Sequence, residues 1–374
     1  MVFKIITLIG TRPEIIRLSR FIEQADKYFN QILIHSGQNY STNLGDIFFD
    51  EMKIRKPDHY LDVIGDHLGE TMGNIISKSY DIFQKLKPDC LVILGDTNTG
   101  LAVISAKRLK IPIFHIESGQ RSQNENLPEE INRRIIDHSS DINLCYSENS
   151  RRNLIKEGLR IDHIFVIGSP MKEVLDYYYQ DILNSKIMDK LKLDKNKFFV
   201  LSLHREQHID EDKIFNQLIN SLDQICHKYN LPIIFSTHPR TLKKLEGKNI
   251  HLNPLVKVIP ALGFFDFCNL EINSLCVLSD SGSEPEIAPI LNYPIVSIRD
   301  STERQEAIDK GNIILGNLKS ETILDSINIA INTHNKQNKI MPYDYMDDNV
   351  SIKIIKIIQS YVPIVNKVIW FKNE

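Results

Sequence analysis

The feature that most constrains the fold of this 374-residue chain is a repeated alternation of short apolar runs and longer amphipathic stretches. The runs are rich in Ile, Val and Leu, as expected of strands buried on both faces. Strand followed by helix followed by strand predicts a parallel sheet with helices on both faces. The predicted strands of the first half cover residues 3–9, 31–35, 90–94, 112–116, 142–145 and 164–167, and the helices cover 14–29, 68–87, 98–109, 129–138 and 149–157.

The alternation pauses over the polar residues 176–197 and then restarts. The predicted strands of the second half cover residues 198–203, 233–236, 256–259, 276–279, 295–298 and 313–315, with a helix over 212–229. We therefore predict an α/β protein with two doubly wound domains, 1–175 and 176–374. The last helix, from residue 350, is expected to pack back on the first domain. Ligands of such sheets bind at the carboxyl ends of the strands, and the cleft between the domains is the expected active site.

Composition excludes several classes of protein. The net charge of −3 argues against a strongly basic nucleic-acid binder, so no nucleic-acid partner is expected. No apolar run approaches the ~18 residues that span a membrane, and the N-terminus is typical of a strand rather than a signal peptide. Five cysteines without a Cys-x-x-Cys pair are typical of buried thiols in a reducing compartment. These features predict a cytoplasmic protein without a membrane partner.

Charged residues follow the predicted strands of the first half. After the first strand come Arg12 and Arg17, beside a helix start where Thr11 is the expected N-cap. A helix N-terminus flanked by arginines can bind an anion, although the same residues also suit a well-capped helix with solvated arginines. Three carboxylates occupy comparable positions, namely Asp96, Glu117 and Glu129. Their alternative roles are helix capping and interaction with a helix dipole.

A parallel sheet brings the carboxyl ends of its strands to one edge, so these three carboxylates are expected to converge there. Neighbouring carboxylates raise one another's pKa, which is the arrangement that general acid/base chemistry uses. The sequence therefore predicts proton-transfer chemistry at this edge of the first sheet.

In the second half, His204 and Arg205 follow one strand and Ser281 and Gly282 follow another. The first pair is expected to contact a phosphate, and the small residues let a diphosphate approach backbone N–H groups. His204 and His208 lie four residues apart, but no third metal ligand is evident, so no metal is predicted. The chain carries no convincing Gly-x-Gly-x-x-Gly motif, so no nicotinamide cofactor is expected.

Over residues 10–307 the motifs, in their order and spacing, resemble the non-hydrolysing UDP-N-acetylglucosamine 2-epimerases. The resemblance implies two Rossmann-like domains in a glycosyltransferase-B arrangement, a homodimer, no cofactor, and UDP bound mainly by the C-terminal domain. The motifs are Gly10-Thr-Arg-Pro-Glu14, Gly37-Gln38, Gly95-Asp-Thr97, Glu117-x-Gly-x-Arg121, Pro128-Glu-Glu-x-Asn-Arg133, His204-Arg-Glu206, His238-Pro239, Asp280-Ser-Gly282 and Thr302-Glu-Arg304.

Within that family the chain is more similar to the enzymes that make UDP-N-acetyl-L-fucosamine from UDP-2-acetamido-2,6-dideoxy-L-talose for capsule or O-antigen synthesis. The motifs Gly37-Gln-Asn-Tyr40 and Gly168-Ser-Pro-Met171 carry this likeness, and Arg17 stands where the glucosamine branch usually has Lys. One departure concerns the nucleotide site, because the family's ribose-binding glutamate aligns with Ile287. Glu286, one residue earlier, is the expected replacement.

The resemblance implies that UDP leaves C1 as the C2 proton is removed, and that both return with C2 inverted. Asp96, Glu117 and Glu129 are then the acid/base residues, and His204 stabilises the departing diphosphate. The residues expected to bind substrate are Arg12, Arg17, Gln38, Arg133, Arg205, His238, Ser281, Gly282 and Glu286.

Four alternatives remain open at the level of sequence. The first has the same reaction class but the substrate pair UDP-N-acetylglucosamine and UDP-N-acetylmannosamine. A glycosyltransferase of the same architecture would not need three carboxylates near C2. A non-catalytic UDP-sugar binder is compatible with the departure at Ile287, but not with retention of the carboxylates. A hydrolysing 2-epimerase would release the free amino sugar, and the stretch 299–304 is more similar to the non-hydrolysing type.

Overall fold

The computed structural model describes residues 2–38, 48–122, 124, 126–203, 211–237, 241–242, 245, 252–316, 320–334 and 340–372. All structural statements refer to these residues. The predicted site residues His204, Arg205 and His238 lie outside them.

The described strands form two sheets in which neighbouring strands run parallel. In chain order they are β1 (Lys4–Ile9), β2 (Asn30–His35), β3 (His59–Tyr60), β4 (Cys90–Leu94), β5 (Ile113–Ile116), β6 (Ile142–Cys145), β7 (Ile164–Val166), β8 (Phe199–Leu203), β9 (Ile233–Thr237), β10 (Val256–Pro260), β11 (Cys276–Ser279), β12 (Ile295–Ser297) and β13 (Ile314–Leu315). The first sheet has the order β3-β2-β1-β4-β5-β6-β7 and the second has the order β10-β9-β8-β11-β12-β13.

Helices connect these strands in the described part of the chain. They are α1 (Arg12–Tyr28), α2 (Leu68–Leu86), α3 (Val103–Arg108), α4 (Pro128–Ser139), α5 (Glu148–Lys156), α6 (Pro170–Tyr177), α7 (Tyr179–Leu183), α8 (Ile187–Leu191), α9 (Asp212–Tyr229), α10 (Phe264–Asn273), α11 (Glu284–Leu291), α12 (Gln305–Asp309), α13 (Ser320–Thr333) and α14 (Val350–Val368). Short 3-10 turns cover Asn98–Ala102, Ile161–His163 and Tyr343–Tyr345. Two Rossmann-like parallel sheets with connecting helices confirm the predicted fold class.

Contacts between residues divide the chain into two compact units. Unit 1 contains Met1–Asp176 and Asp344–Glu374, and unit 2 contains Tyr177–Tyr343. Helix α14 belongs to unit 1, where it packs against α1 and buries Ile354, Ile358 and Val365.

Each unit has its own hydrophobic core, because its central strands are apolar on both faces. Every residue of β4 and of β8 is buried. Helix α1 adds Ile15, Leu18 and Ile22, which recur at helical spacing and are at most 1% exposed. Burial on both sides of the sheet makes the strand ends the places where polar side chains can gather.

The strand order reverses between β1 and β4 in the first sheet and between β8 and β11 in the second. At such a switch point the connections leave the sheet in opposite directions, so a crevice opens at the carboxyl ends of the two strands. Each unit therefore has one switch-point crevice, and the predicted site residues of unit 1 lie on segments that follow β1, β2, β4 and β5.

None of the described helices is long and apolar enough to cross a membrane.

Candidate active site

Glu14 joins the two sides of the first switch point. It lies in the first turn of α1, where its Oε2 accepts hydrogen bonds from the N–H groups of Gly10 (2.5 Å) and Thr11 (3.1 Å). Its Oε1 accepts a hydrogen bond from the hydroxyl of Thr97, which follows β4 (2.7 Å). Burial raises the pKa of Glu14 to about 7, although these hydrogen bonds oppose the shift. The sequence analysis named Glu14 only as the end of the motif Gly10-Thr-Arg-Pro-Glu14 and did not predict this link across the crevice.

Asp96 follows β4 and is bound by a buried arginine of α4. The Arg133 Nε and Nη2 atoms lie 2.8 and 2.6 Å from its Oδ2. The remaining Nη1 of Arg133 donates to Glu130 (2.8 Å), so one guanidinium bridges two carboxylates. Asn132 donates to the backbone carbonyl of Asp96 (3.0 Å). The Asp96 side chain remains 24% exposed, so it is held in place while still reachable by a ligand.

Glu117 follows β5 with a left-handed backbone, φ +72°. For a residue other than glycine this conformation costs about 1–3 kcal/mol and is common at functional sites. The hydroxyl of Tyr146 donates to its Oε2 (3.3 Å), and Nη1 of Arg17 lies 3.7 Å from the same oxygen. The carboxylate is 16% exposed, whereas Arg17 is 4% exposed. Glu117 is therefore a partly solvated carboxylate beside a buried cation.

Arg12 and Gln38 complete this edge of unit 1. The guanidinium carbon of Arg12 lies 5.0 Å from the centre of the Phe48 ring, and Arg12 is half-buried. Gln38 accepts hydrogen bonds from both the N–H and the hydroxyl of Thr99 (2.9 Å each), so it fastens the segment after β2 to the segment after β4.

The two adjacent glutamates at the start of α4 have different environments. Glu129, the predicted acid/base residue, is exposed in the first turn. Glu130 is 1% exposed and accepts from the N–H and the hydroxyl of Ser122 (3.1 Å each) as well as from Arg133. Sequence reasoning missed Glu130 because helical phase at a first turn cannot be read to one residue. It also missed Tyr146, although Tyr146 directly follows β6 and the strand-end rule would have found it.

In unit 2, Ser281 and Gly282 lie between β11 and α11. The Ser281 hydroxyl accepts a hydrogen bond from the N–H of Ser283 (3.2 Å), which shapes the turn, and Gly282 is exposed. The turn therefore presents small residues at the second switch point, next to the N-terminus of α11.

Glu286, the expected replacement for the ribose-binding glutamate, is fully buried in α11. Its Oε2 lies 3.2 Å from Nε and 3.0 Å from Nη2 of Arg304. A neighbouring pair joins Nη2 of Arg299 to both carboxylate oxygens of Glu303 (2.7 and 2.8 Å). The carboxylate of Glu286 therefore contacts an internal cation, while Ile287 beside it is 6% exposed.

No group of three or more His, Cys, Asp or Glu side chains that could hold a metal ion occurs among the described residues. The pair His204 and His208 considered in the sequence lies outside them.

Comparison with known proteins gives a consistent result. The family model described as UDP-N-acetylglucosamine 2-epimerase matches residues 23–359. The chain belongs to this family. The UDP-N-acetylglucosamine 2-epimerase of Methanococcus maripaludis is 35% identical over 369 residues, 95% of this chain and 98% of the relative.

Two solved structures of the family show the same fold. The UDP-N-acetylglucosamine 2-epimerase from Rickettsia bellii is 42% identical, with a TM-score of 0.93 and full coverage of both chains. The Methanocaldococcus jannaschii enzyme, solved in complex with UDP-GlcNAc and UDP, is 32% identical, with a TM-score of 0.89 over 95% of this chain and 99% of that one.

Membership makes the chain an isomerase and confirms the prediction of a UDP-N-acetylsugar 2-epimerase at the level of the family.

Proposed function

We propose that this chain inverts C2 of a UDP-N-acetyl sugar by eliminating and re-adding UDP. The observation that carries the proposal is the pair of partly exposed carboxylates, Asp96 and Glu117, each held by a buried arginine at the switch point of unit 1. The family supports the same reaction class, because a relative solved with UDP-GlcNAc and UDP shares its fold.

The chemistry explains why both acids and cations are needed. The C2 hydrogen is not acidified by a carbonyl group, so its removal must be coupled to loss of a leaving group. A base takes the proton, the electron pair forms a C1–C2 double bond, and the C1–oxygen bond breaks to release UDP. UDP then re-adds to C1 of the 2-acetamidoglycal while a proton returns to the opposite face of C2. The reaction is redox-neutral, and two positioned acid/base groups suffice for it.

We assign the proton transfers to Asp96 and Glu117, with Glu129 as a third candidate in the exposed first turn of α4. Arg17 and Arg133 neutralise charge beside these carboxylates, and positioned charges of this kind commonly supply much of an enzyme's rate. Arg12 and Gln38 are proposed to contact the nucleotide sugar from the same edge of the sheet.

In unit 2, Ser281 and Gly282 are proposed to bind the diphosphate, because small residues before a helix N-terminus let phosphate oxygens reach backbone N–H groups. His204 and Arg205 keep their predicted roles at the leaving diphosphate, and His238 stays a predicted substrate-binding residue. We propose that Glu286 contacts the ribose. This contact requires Glu286 to give up its ion pair with Arg304. We also propose that the chain acts as a homodimer, which light scattering tests by a mass of twice 43.2 kDa.

For the sugar we propose UDP-2-acetamido-2,6-dideoxy-L-talose, converted to UDP-N-acetyl-L-fucosamine for capsule or O-antigen synthesis. The motifs of that branch and Arg17, which contacts both Glu117 and Tyr146, support this choice. UDP-N-acetylglucosamine is the second candidate, because the relatives from Methanococcus and Rickettsia carry that name.

The test is proton NMR in D₂O with UDP-N-acetyl-L-fucosamine and, separately, with UDP-N-acetylglucosamine. We expect deuterium at C2, accumulation of the C2 epimer, and faster exchange with the fucosamine sugar. No C2 exchange with either sugar, despite UDP binding, contradicts the epimerase. Faster exchange with the glucosamine sugar overturns only the substrate assignment. Arg17→Lys also tests the substrate assignment, because the glucosamine branch usually has Lys at this position. We expect no improvement in turnover of UDP-N-acetylglucosamine, and an improvement would count against the fucosamine sugar.

A further inference from the structure

Asp137 is a fully buried carboxylate in α4 to which the sequence assigned no function. Its Oδ1 lies 2.8 Å from Nδ1 of His115, and its Oδ2 accepts from Nη1 of Arg121 (2.8 Å). The N–H of Gly119 lies 3.3 and 3.1 Å from the two oxygens. One side chain therefore binds three points of the segment 115–121.

These three points flank Glu117. His115 precedes Glu117 by two residues, and Gly119 follows it by two. The left-handed backbone of Glu117 is disfavoured for an L-residue, so its neighbours must impose it. Gly119 is also left-handed, φ +78°, and a Cβ there would overlap the carbonyl oxygen of Ser150. The loop that carries Glu117 is therefore fastened on both sides to the same buried carboxylate.

His115 extends the connection to the other candidate acid/base residue. Its Nε2 donates a hydrogen bond to the backbone carbonyl of Gly95 (2.8 Å), since a carbonyl oxygen can only accept. That carbonyl belongs to the peptide that joins Gly95 to Asp96. Contacts thus run from Asp137 through His115 to the turn that carries Asp96.

We propose that Asp137 and His115 are positioning residues that hold Glu117 and Asp96 at the geometry required for proton transfer at C2. The proposal rests on the proposed function. Neither residue is a candidate for substrate contact, because their exposed fractions are 0 and 1%. Their effect must pass through the backbone of the two loops, where a misplacement of about 1 Å can cost a hundredfold in rate.

Three substitutions separate the contacts. Asp137→Ala removes all of them, and we expect kcat to fall about 100-fold with KM within about threefold. Asp137→Asn can donate to Nδ1 of His115 and still accept from Arg121 and Gly119, so we expect it to recover most of the lost kcat. His115→Phe keeps an aromatic ring but cannot bond to the carbonyl of Gly95, so it should lower kcat. The double variant with Asp137→Asn should not recover that kcat.

Asp141→Ala is the matched control. Asp141 is also buried, and it accepts from the N–H of Ile113 (3.0 Å) and from Nζ of Lys107 (2.6 Å) at the opposite end of β5. Its loss should destabilise unit 1 without changing kcat of the folded enzyme. Equal losses of kcat in Asp137→Ala and Asp141→Ala would overturn the positioning role, and so would a wild-type kcat in Asp137→Ala.

Hydrogen exchange supplies a readout that does not depend on activity. The Gly119 amide should exchange at least about tenfold faster in Asp137→Ala and remain unchanged in Asp141→Ala, whereas the Ile113 amide should show the opposite pattern. If the wild-type enzyme exchanges no hydrogen at C2 of the sugar, the proposed function fails. The exchange rate of the Gly119 amide still shows whether Asp137 holds the loop. An unchanged Gly119 amide in Asp137→Ala overturns the inference even if the enzyme is an epimerase.

Discussion

Glu14 and Glu117 lie at the same edge of the first sheet, yet their surroundings give them different chemistry. Glu14 is 2% exposed and hydrogen-bonded to two backbone amides and Thr97. Glu117 keeps access to solvent and faces Arg17 and Tyr146. We therefore expect Glu14 to contribute to pH-dependent stability and Glu117 to contribute to turnover.

The first residue-scale prediction concerns Glu14→Gln. The folded-state pKa of about 7 exceeds the ordinary 4.5, so folding favours the protonated carboxyl. Its contribution to stability is full below pH 4.5 and is lost as the pH rises through 7. The loss is on the order of 3 kcal/mol. Glutamine mimics the protonated form, so the variant should lose less stability between pH 5 and pH 8 in urea unfolding.

Glu70→Gln is the control for that measurement. Glu70 also accepts a backbone N–H at the start of a helix, from Asp66 (2.7 Å), but it is exposed. Its unfolding profile should follow that of the wild type. Identical pH slopes for the wild type and Glu14→Gln would show that burial does not shift the titration of Glu14.

A second residue-scale prediction concerns Glu117→Gln. The amide keeps the size of the side chain but cannot exchange a proton with C2, so turnover should fall by about 10²–10⁴-fold. Calorimetric titration should show that UDP still binds. Glu23→Gln, which weakens contacts with Lys27 (2.8 Å) and with Arg20 in α1, should keep full turnover. A near-wild-type rate for Glu117→Gln would exclude Glu117 as an acid/base residue.

At the scale of elements, the apolar runs located most strands well. β4, β6 and β11 have the predicted bounds, because their residues are buried on both faces and adjoin polar residues. β3 was missed because it is only His59–Tyr60, at the sheet edge. The predicted pause over residues 176–197 contains the short helices α7 and α8, whose polar sequences have too few turns to show an apolar face.

The end of β1 gives an element-scale prediction. A Cβ on Gly10 would overlap the hydroxyl oxygens of Ser36 and Thr99, which hydrogen-bond to each other at 2.8 Å between the segments after β2 and β4. Gly10→Ala should therefore cost about 1–3 kcal/mol of stability. Gly73→Ala in α2 meets no atom within 4 Å and should stabilise by about 0.5–1 kcal/mol. Thermal unfolding of both variants measures these changes in stability, and equal changes in the two variants would contradict the prediction.

At the scale of the whole molecule, unit 1 depends on the last residues of the chain. α14 packs against α1, and Glu173 of α6 accepts a hydrogen bond from the N–H of Ser351 (2.8 Å). A chain that ends at Tyr343 leaves the apolar surface under α14 uncovered. In calorimetry we expect it to lose the unfolding transition of unit 1 and to keep that of unit 2.

A chain that ends at Trp370 is the control, because it retains α14. It should keep both transitions. Retention of both transitions by the chain that ends at Tyr343 would mean that unit 1 is stable without its last helix.

The sequence predicted two parallel α/β sheets because the same alternation occurs twice. It set the domain bounds at 1–175 and 176–374 and expected the last helix to pack back on the first domain, although an amphipathic helix such as α14 does not encode which surface it covers. For the same reason Asp137 carried no local signal, since its partners His115, Gly119 and Arg121 lie on another segment. Residues that support a site from another segment of the chain carry no local signal in the sequence.

The return of the chain to unit 1 has a consequence for synthesis. Domains fold as units while the chain emerges from the ribosome, normally starting from the N-terminus. Here the later unit, Tyr177–Tyr343, is fully synthesised before the earlier one, because unit 1 still lacks Asp344–Glu374. Unit 1 can therefore complete its fold only after residues 344–374 have been synthesised, so a nascent chain that stops before them would hold a complete unit 2 and an incomplete unit 1.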